Sequence, residues 1–334
     1  MNAEEISRTA NHSRYVPGQR AGHYESFFLR ANHRSRPLAF WIRYTVFHPA
    51  TPGRETIGEL WAVYFEGEQL RNVAVKREVP IGSCSFARDS FSVAIEDARL
   101  GPGVASGEAD SSGHRIGWSL AITGDQPPLF LLPLPLYEAA LPKAKSLVAL
   151  PMATFRGNLV VDGQTVDIDD WVGSQNHNWG QRHTDHYAWG QVAGFDSHPH
   201  SFLEIGTARL RIGPVWTPLL TPLVLRHDGR EHALNGTMHL LRARASFRYF
   251  DWTFVARGAD VRVEGRISAP RESFAGLTYF NPPGGSKHCL NSKLASCMVY
   301  LSLRGQPTQT MSTDSRAAFE ILTDDRNHGV PILV

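Results

Sequence analysis

Apolar residues along this chain come in short runs separated by turn-forming residues, and such runs predict β-strands. Clear examples lie at residues 38–47, 60–65 and 248–255. Helical periodicity is scarce, and 29 glycines and 21 prolines break the sequence between runs. Regular short strands with turns between them predict an all-β sandwich or barrel fold with little helix.

Several turns are explicit in the sequence. Asp162-Gly163 and Asp228-Gly229 each separate two strand-like runs. This dipeptide predicts a hairpin, because both central residues of the favoured two-residue turn need a positive φ. Ser112-Gly113 precedes a further predicted strand at residues 114–122. Residues 138–150 are the main helix candidate, and Pro142 would limit its length.

A faint internal repeat indicates two similar halves. Residues 23–31 resemble residues 186–194, and in each half a polar gap and then an apolar strand follow, at 38–47 and 202–210. The length of 334 residues fits two barrels of ordinary domain size. We therefore predict an N-terminal barrel over residues 1–180 and a C-terminal barrel over residues 181–334.

Composition narrows the class of protein. The chain is 42% hydrophobic with a net charge of +2 and has no basic stripe, so neither a disordered protein nor a nucleic-acid partner is expected. The N-terminus lacks a signal-peptide core, and the apolar run at 127–136 is too short and proline-broken to span a bilayer. Three cysteines fit a reducing compartment. We expect a soluble, cytoplasmic protein.

The densest candidate chemistry lies at residues 169–196, where histidines, tryptophans and aspartates are crowded together. In an extended segment, His177 and Trp179 would share one face. A histidine beside an indole could protonate an alkene while the ring stabilises the developing positive charge. The alternative is structural, with both side chains fastening the two halves together.

Alternation divides the next residues between two faces. Asp185 would lie with Tyr187 on one face, and His186 with Ala188 on the other. Asp185 could orient a histidine and raise its basicity, so Asp185 and His186 are candidate acid–base groups. The alternative is a polar loop, including His183, that leads into a strand with its histidines on the surface.

Glu204 is the other candidate acid, because a carboxylate directed into a barrel would have a raised pKa. The alternative is a solvent-facing side chain on a half-buried strand. Glu25 occupies a comparable place in the first half. Aromatic residues on strands either pack in the core or form the walls of a ligand site. The candidate ligand-binding rings are Trp41, Trp179, Tyr187, Trp189 and Tyr279.

No cofactor or metal is predicted. The chain has no dinucleotide-binding glycine motif, no phosphate-binding loop, no serine elbow, no HExxH and no paired CxxC. The alternative of a metal site would rest on His177, His183 and His186, with His198 and His200 downstream. Cofactor-free proton-transfer chemistry and simple ligand binding therefore stay open.

At this point the sequence resembles a known group. The resemblance rests on four segments, namely the hairpin at 157–168, the Asn-His-Asn-Trp-Gly element at 176–180, the aromatic run at 187–192 and the run at 261–267. They resemble the tandem lipocalin-like superfamily of acyclic carotenoid hydratases, tocopherol cyclases and lipocalin-type Diels–Alderases. The resemblance implies two packed antiparallel β-barrels with an apolar pocket. It also implies an active-site role for His177 and Trp179, which match a His-x-Trp pair of the hydratases.

Our leading hypothesis is a cofactor-independent enzyme acting on a bulky hydrophobic small molecule, isoprenoid or polyketide-like, as in natural-product biosynthesis. The reaction would be cyclisation, isomerisation (Diels–Alderase-like chemistry included) or hydration. The alternatives are a non-catalytic carrier of a hydrophobic ligand and an interaction protein with filled barrels. An enzyme should place a titratable group of the 169–196 segment against the pocket, whereas a carrier needs only apolar walls.

Overall fold

The computed structural model describes residues 3–334, and almost all of its regular structure is antiparallel β-sheet. Two large sheets of 12 and 10 strands dominate. Within the described residues, α-helix is confined to α1 (Ala3–Arg8) and α2 (Thr237–Arg242), with 3-10 turns at Ile81–Ser83, Leu134–Tyr137 and Arg271–Ser273. Neither helix within residues 3–334 has the length and apolar character needed to cross a bilayer.

The first sheet runs in the order β4-β3-β2-β1-β12-β11-β9-β8-β7-β6-β5, with β10 paired to β11. Its strands are β1 (His23–Asn32), β2 (Leu38–His48), β3 (Ile57–Glu66), β4 (Arg71–Pro80), β5 (Cys84–Phe86), β6 (Val93–Ile95), β7 (Ala98–Gly101), β8 (Val104–Ser111), β9 (His114–Thr123), β10 (Leu129–Phe130), β11 (Ala144–Val161) and β12 (Gln164–Gly180).

The second sheet runs in the order β18-β17-β14-β13-β24-β23-β21-β20-β19, with β22 paired to β23, and β15 and β16 form a separate hairpin. The strands are β13 (His186–Ala193), β14 (Phe202–Arg209), β15 (Arg211–Ile212), β16 (Val215–Trp216), β17 (Leu223–His227), β18 (Arg230–Leu234), β19 (Arg244–Arg248), β20 (Asp251–Arg257), β21 (Val261–Ser268), β22 (Ala275–Phe280), β23 (Ser286–Leu303) and β24 (Gln309–Thr323).

Each sheet curls around its own apolar core, which confirms the expected all-β fold of two packed lipocalin-like barrels. In the first, β4 returns against β8 and β9, and the Lys76 amide donates a hydrogen bond to the Ser111 hydroxyl at 2.9 Å. Phe40 and Phe155 are among the rings that fill this barrel. In the second, α2 packs on β20, and Trp252 lies in the core.

The faint sequence repeat corresponds to a repeat of strand order. β1 and β13 hold equivalent central positions, each paired with the last long strand of its own sheet, and β2 and β14 lie beside them. All strands of the first sheet end by Gly180, and those of the second begin at His186. The division into domains at residues 180 and 181 stays a prediction.

The predicted hairpins are confirmed, and the main predicted helix is wrong. Val161 pairs with Gln164 and His227 with Arg230, and the Asp-Gly residues between them have positive φ. Residues 138–150 contain no helix, because Leu147 and Val148 pair with β12 as part of β11. Sheet pairing therefore overrides the local propensity of this segment.

The two faces of the central strands serve different environments. On β1, Phe27 and Leu29 point into the first barrel, whereas Phe28 faces the second sheet. On β13, Ala188 points into the second barrel and Trp189 faces the first sheet. Since every residue of β1 is buried, both faces of this strand are covered by protein.

The pairing of β1 with β12 depends on a glycine. A Cβ atom at Gly173 would overlap the backbone carbonyl oxygen of Arg30 on the neighbouring strand. We expect Gly173→Ala to lower the free energy of unfolding by about 3 kcal/mol, because buried strands have no room to separate. Gly82→Ala is the control, since nothing lies near its added Cβ. Equal denaturation midpoints for the two variants would contradict this prediction.

Candidate active site

The two sheets pack through a layer of aromatic and aliphatic side chains. Phe28, Trp41 and Trp61 of the first sheet contact a cluster that includes Trp189 and Tyr279 of the second. Phe28 and Trp189 meet edge to face with ring centroids 6.0 Å apart, and Trp61 and Tyr279 do so at 5.7 Å. Such pairs add to the free energy gained by burying apolar area.

A buried hydrogen-bond network crosses this layer and is centred on Gln191. Its side-chain oxygen accepts a hydrogen bond from Ser174 at 2.6 Å. Its amide nitrogen donates to Asn176 at 2.9 Å and to Glu204 at 2.8 Å. Arg30 lies beside the same oxygen at 3.4 Å and donates to the Arg316 carbonyl at 2.9 Å. The network fixes the relative position of the sheets.

Beside this network lies a cavity of about 420 Å³ between the two sheets. This volume is within the range of small-molecule sites. The first sheet contributes residues of β1, β2, β11 and β12, and the second contributes residues of β13, β14, β22 and β24. The loop before β11 and the loop before β13 complete the wall. The large apolar and aromatic lining residues include Phe28, Trp41, Leu131, Leu136, Leu141, Tyr187, Trp189, Leu210, Leu220, Leu240 and Tyr279.

A few polar groups also line the cavity. Burial raises the pKa of the Tyr24 phenol and of the Tyr187 phenol, so both remain protonated. The His183 ring stacks on Tyr24 at 4.0 Å and contacts the Phe280 carbonyl at 3.2 Å through Nε2. Because a carbonyl only accepts, Nε2 carries the proton. Burial, with the nearby Arg43 charge, lowers the pKa of His183 to about 3, so the ring is neutral.

Glu320 supplies a buried carboxylate to the cavity wall. It lies on β24 directly opposite Trp189 in the strand register, so both side chains point toward the first sheet. The Lys293 ammonium donates to Glu320 at 2.7 Å, and the Cys289 thiol lies 3.8 Å away. The cavity therefore contains a paired carboxylate next to apolar rings and phenol donors.

Glu204 lies behind Trp189 instead of in the cavity wall. Its two oxygens accept hydrogen bonds from the Trp189 indole at 2.7 Å and from Gln191. Burial raises the pKa of Glu204 to about 7, although these hydrogen bonds and the Arg30 charge oppose the shift. Glu204 can therefore change its protonation state near neutral pH while it holds a cavity ring in place.

Five of the nine residues singled out in the sequence line the cavity, namely Trp41, Asp185, Tyr187, Trp189 and Tyr279. Asp185 pairs with Arg182 and accepts from the Arg211 amide at 3.1 Å. Four residues lie outside the cavity lining: His177, Trp179, His186 and Glu204. Whether any of the nine acts on a substrate stays a prediction.

His177 lies on the opposite face of β12, toward the interior of the first barrel. It is paired in register with Phe27 and stacks on that ring at 4.2 Å, and Trp179 follows at 4.8 Å. Nδ1 contacts the Ala10 carbonyl at 2.6 Å, and Nε2 contacts Glu25 at 2.8 Å. Both ring nitrogens thus face protein acceptors, and no part of the ring is exposed.

Glu25 ties the N-terminal segment to this histidine. Its carboxylate accepts hydrogen bonds from the Ser13 hydroxyl at 2.8 Å and from the Tyr15 amide at 2.9 Å. Although burial opposes the change, hydrogen bonds with His177 and His23 hold the pKa of Glu25 well below its usual range. Segment 10–15 is therefore held against β1 and β12 by Glu25 and His177.

The histidines of the 169–196 segment are dispersed. His186 contacts the Leu322 carbonyl at 3.1 Å and stacks on Phe247 at the second barrel, away from His177. Over residues 3–334 no three His, Cys, Asp or Glu side chains are grouped as a metal site requires.

Sequence reasoning missed Arg43 and Glu320. Each is a single charged residue inside an apolar strand, within Trp41-Ile-Arg-Tyr44 and Ala318-Phe-Glu-Ile321 respectively. A charge in such a run is the signal that could have identified both, because a buried charge needs a partner or a function.

Comparison with known proteins places the fold more firmly than the activity. No protein-family model matches the chain. Two uncharacterized proteins of Mycobacterium tuberculosis, Rv0493c of strain H37Rv and MT0513 of strain CDC 1551, are 24% identical over 306 residues, which covers 88% of this chain and 85% of theirs.

Three solved structures share the architecture at 9–11% sequence identity, a level that shows the fold alone. CghA aligns with a TM-score of 0.58 over 93% of both chains. A Nitrosomonas europaea protein provisionally assigned as AttH has a TM-score of 0.54, covering 93% of this chain and 99% of its own. Kievitone hydratase of Nectria haematococca has a TM-score of 0.51, covering 94% and 97%.

The raised pKa of Glu204 makes folding stability depend on pH. The folded state holds this proton up to about pH 7, whereas the ordinary carboxyl value is 4.5. Stability from this group is therefore fully present below pH 4.5 and is lost as the pH rises to 7. Relative to Glu204→Gln, we expect the wild type to lose about 3 kcal/mol between pH 4.5 and pH 8.

Denaturant unfolding of both proteins across this pH range measures the effect. The pH dependence is read from the difference in unfolding free energy between the two proteins. Any effect of the glutamine amide on stability is the same at every pH and therefore cancels. A difference that does not change with pH would show that Glu204 is ionised throughout.

Proposed function

We propose that this protein is a cofactor-independent enzyme that binds a bulky unsaturated small molecule between its two barrels. The reaction is hydration, cyclisation or isomerisation by proton transfer. The observation that carries this proposal is the cavity of about 420 Å³, whose apolar wall is interrupted by three phenols, a neutral histidine and a paired carboxylate. A largely apolar pocket with a few convergent polar groups is typical of a small-molecule site.

The polar groups favour an enzyme over a carrier. A carrier of an apolar ligand needs only apolar walls, and each buried charge lowers stability unless it is well paired. This cavity nevertheless holds Glu320, and His183, Asp185 and Tyr187 of the 169–196 segment also line it. Retaining titratable groups at a site where apolar residues would suffice supports a chemical role.

The proposed mechanism uses shape first. Trp41, Trp189 and Tyr279 hold the substrate in a folded, reactive shape, and such pre-organisation can lower a barrier by roughly 7–11 kcal/mol in ideal cases. Tyr24 and Tyr187, kept protonated by burial, donate hydrogen bonds to an oxygen of the substrate. Glu320 takes a proton from the substrate or from a water molecule and returns it to a carbon of the same substrate, so the step is proton-neutral overall. Lys293 stabilises the negative charge of Glu320 when it is ionised.

The remaining predicted residues have supporting places in this proposal. Glu204 positions the Trp189 indole, and Asp185 lies in the loop before β13. His177, with Trp179 beside it, and His186 remain candidate acid–base groups from the sequence. The fold also houses kievitone hydratase, which supports the proposal by analogy, since one fold carries many chemistries.

Replacing the cavity carboxylate tests the proposal. We expect Glu320→Gln to lower kcat for a polyene or polyketide-like substrate by about 10²-fold or more, because it removes proton transfer. Turnover is followed by mass spectrometry of product formation. Glu59→Gln is the matched control, since Glu59 is also buried and paired with a lysine, Lys76 at 3.0 Å, outside the cavity lining. Equal loss in both variants, or binding without turnover in the wild type, would count against the enzyme.

The role of His177 has a separate test. His177→Ala leaves Glu25 without its 2.8 Å partner in a fully buried place, and we expect the free energy of unfolding to fall by about 3 kcal/mol. Turnover per folded molecule is then compared with that of the wild type at a temperature where both are folded. Unchanged turnover assigns His177 a structural role, and lost turnover supports the acid role inferred from the sequence.

A further inference from the structure

Arg43 is a buried cation in the wall of the cavity. It lies in the middle of β2, and only 4% of its surface is exposed. Its Nε donates a hydrogen bond to the Ser26 hydroxyl at 2.8 Å, and Ser26 is hydrogen-bonded to Thr45 at 2.9 Å. All three residues are on the strand faces that point toward the second sheet. This support fixes the plane of the guanidinium.

Aromatic rings surround the same group. The guanidinium carbon lies 4.6 Å from the centroid of the Tyr279 ring, 5.9 Å from that of Trp41 and 6.0 Å from that of Trp61. Ring faces stabilise a cation but accept little directional hydrogen bonding. Three rings therefore surround Arg43 and leave the N–H groups of its terminal nitrogens without strong acceptors.

Arg43 has carboxylates near it but, in the described part of the chain, no direct partner among them. Burial lowers the pKa of its guanidinium, and neighbours that include Glu59 and Glu320 more than offset this. Among residues 3–334, no carboxylate lies within 4 Å of its guanidinium, and no residue accepts a hydrogen bond from its terminal nitrogens. The neighbouring buried cations differ, since Lys293 pairs with Glu320 at 2.7 Å and Lys76 pairs with Glu59. An arginine stays charged even when buried, so its terminal N–H groups, which have no acceptor among the described residues, can receive the oxygens of a ligand.

We propose that Arg43 anchors the substrate through an anionic, planar head group with two oxygens, namely a carboxylate or the enolate of a β-dicarbonyl. The inference rests on the proposed function, because it takes the cavity to be the substrate site. It adds that the substrate is an acid with an apolar body and not a plain hydrocarbon.

The chemistry of the cavity selects this class of anion. A guanidinium binds two oxygens of one plane in parallel, which a carboxylate or a β-dicarbonyl enolate provides. The apolar wall then receives the remainder of the molecule.

Matched ligands that differ in charge test this anchor. We would titrate the wild type with decanoate and with decanamide, following the tryptophan fluorescence of the cavity below micelle-forming concentrations. We expect decanoate to bind about tenfold more tightly, the usual advantage of a charge-assisted hydrogen bond. In Arg43→Gln this preference should disappear, while the affinity for decanamide stays within about threefold.

Two further variants keep the test decisive. Lys145→Gln removes another cation of the cavity wall, whose Nζ is held by the Ala139 and Pro142 carbonyls, and should keep the preference for decanoate. Arg43→Lys keeps the positive charge but cannot bind two oxygens in parallel. It replaces Arg43→Gln in the test if circular dichroism shows that Arg43→Gln does not fold. It should retain a weaker preference. An equal preference for decanoate in the wild type and in the folded Arg43 variants, or none in the wild type, overturns the proposal.

A third ligand separates the two kinds of head group. An ionised 2-decanoyl-1,3-cyclohexanedione that binds more tightly than decanoate identifies a β-dicarbonyl acid, and the reverse order identifies a carboxylic acid. If Arg43→Gln loses the preference for the charged ligand but the wild type converts no acid, Arg43 is an anchor and the proposed enzymatic function is wrong. If the wild type and Arg43→Gln convert neutral substrates at equal rates, the enzymatic function is supported and the role of Arg43 as an anchor is wrong.

Discussion

The buried hydrogen bonds around Gln191 are the interaction on which the rest of this structure depends. Gln191 belongs to the second sheet, and its partners Ser174, Asn176 and Arg30 belong to the first. Apolar packing alone would let two sheets slide, since the hydrophobic effect has no direction. Hydrogen bonds that must be satisfied in a dry interface allow one arrangement, and that arrangement defines the cavity.

The same interface explains why the candidate chemistry is between the barrels and not inside them. Each barrel has an apolar core of its own, and in the first the buried pair of Glu25 and His177 is bonded to segment 10–15. The strand faces that meet between the sheets instead contribute arginine, glutamate, tyrosine and amide side chains. Their charges and dipoles are little screened there, so small rearrangements change pKa values and binding strongly.

The sequence was a good guide to elements and a partial guide to the site. Asp162-Gly163 and Asp228-Gly229 formed the expected hairpins, because their backbone requirements are local. The helix predicted at residues 138–150 is wrong, because pairing of this segment with β12 overrides its helical composition. Alternation correctly put His177 and Trp179 on one face. It could not show that this face looks into the first barrel, while Asn178 on the other lines the cavity.

The sequence by itself determined the local structure of the chain, with its short strands, tight turns and two similar halves. It also showed an unusual concentration of histidine and tryptophan. The tertiary structure decided which faces meet. On β1 and β2 nearly every residue is buried, so no contrast between apolar and polar positions marks the face toward the cavity. Arg43 and Glu320, 277 positions apart in the numbering, line one cavity because sheet packing brings β2 and β24 together. The residues next to each of them in the sequence do not indicate that Arg43 and Glu320 share one cavity.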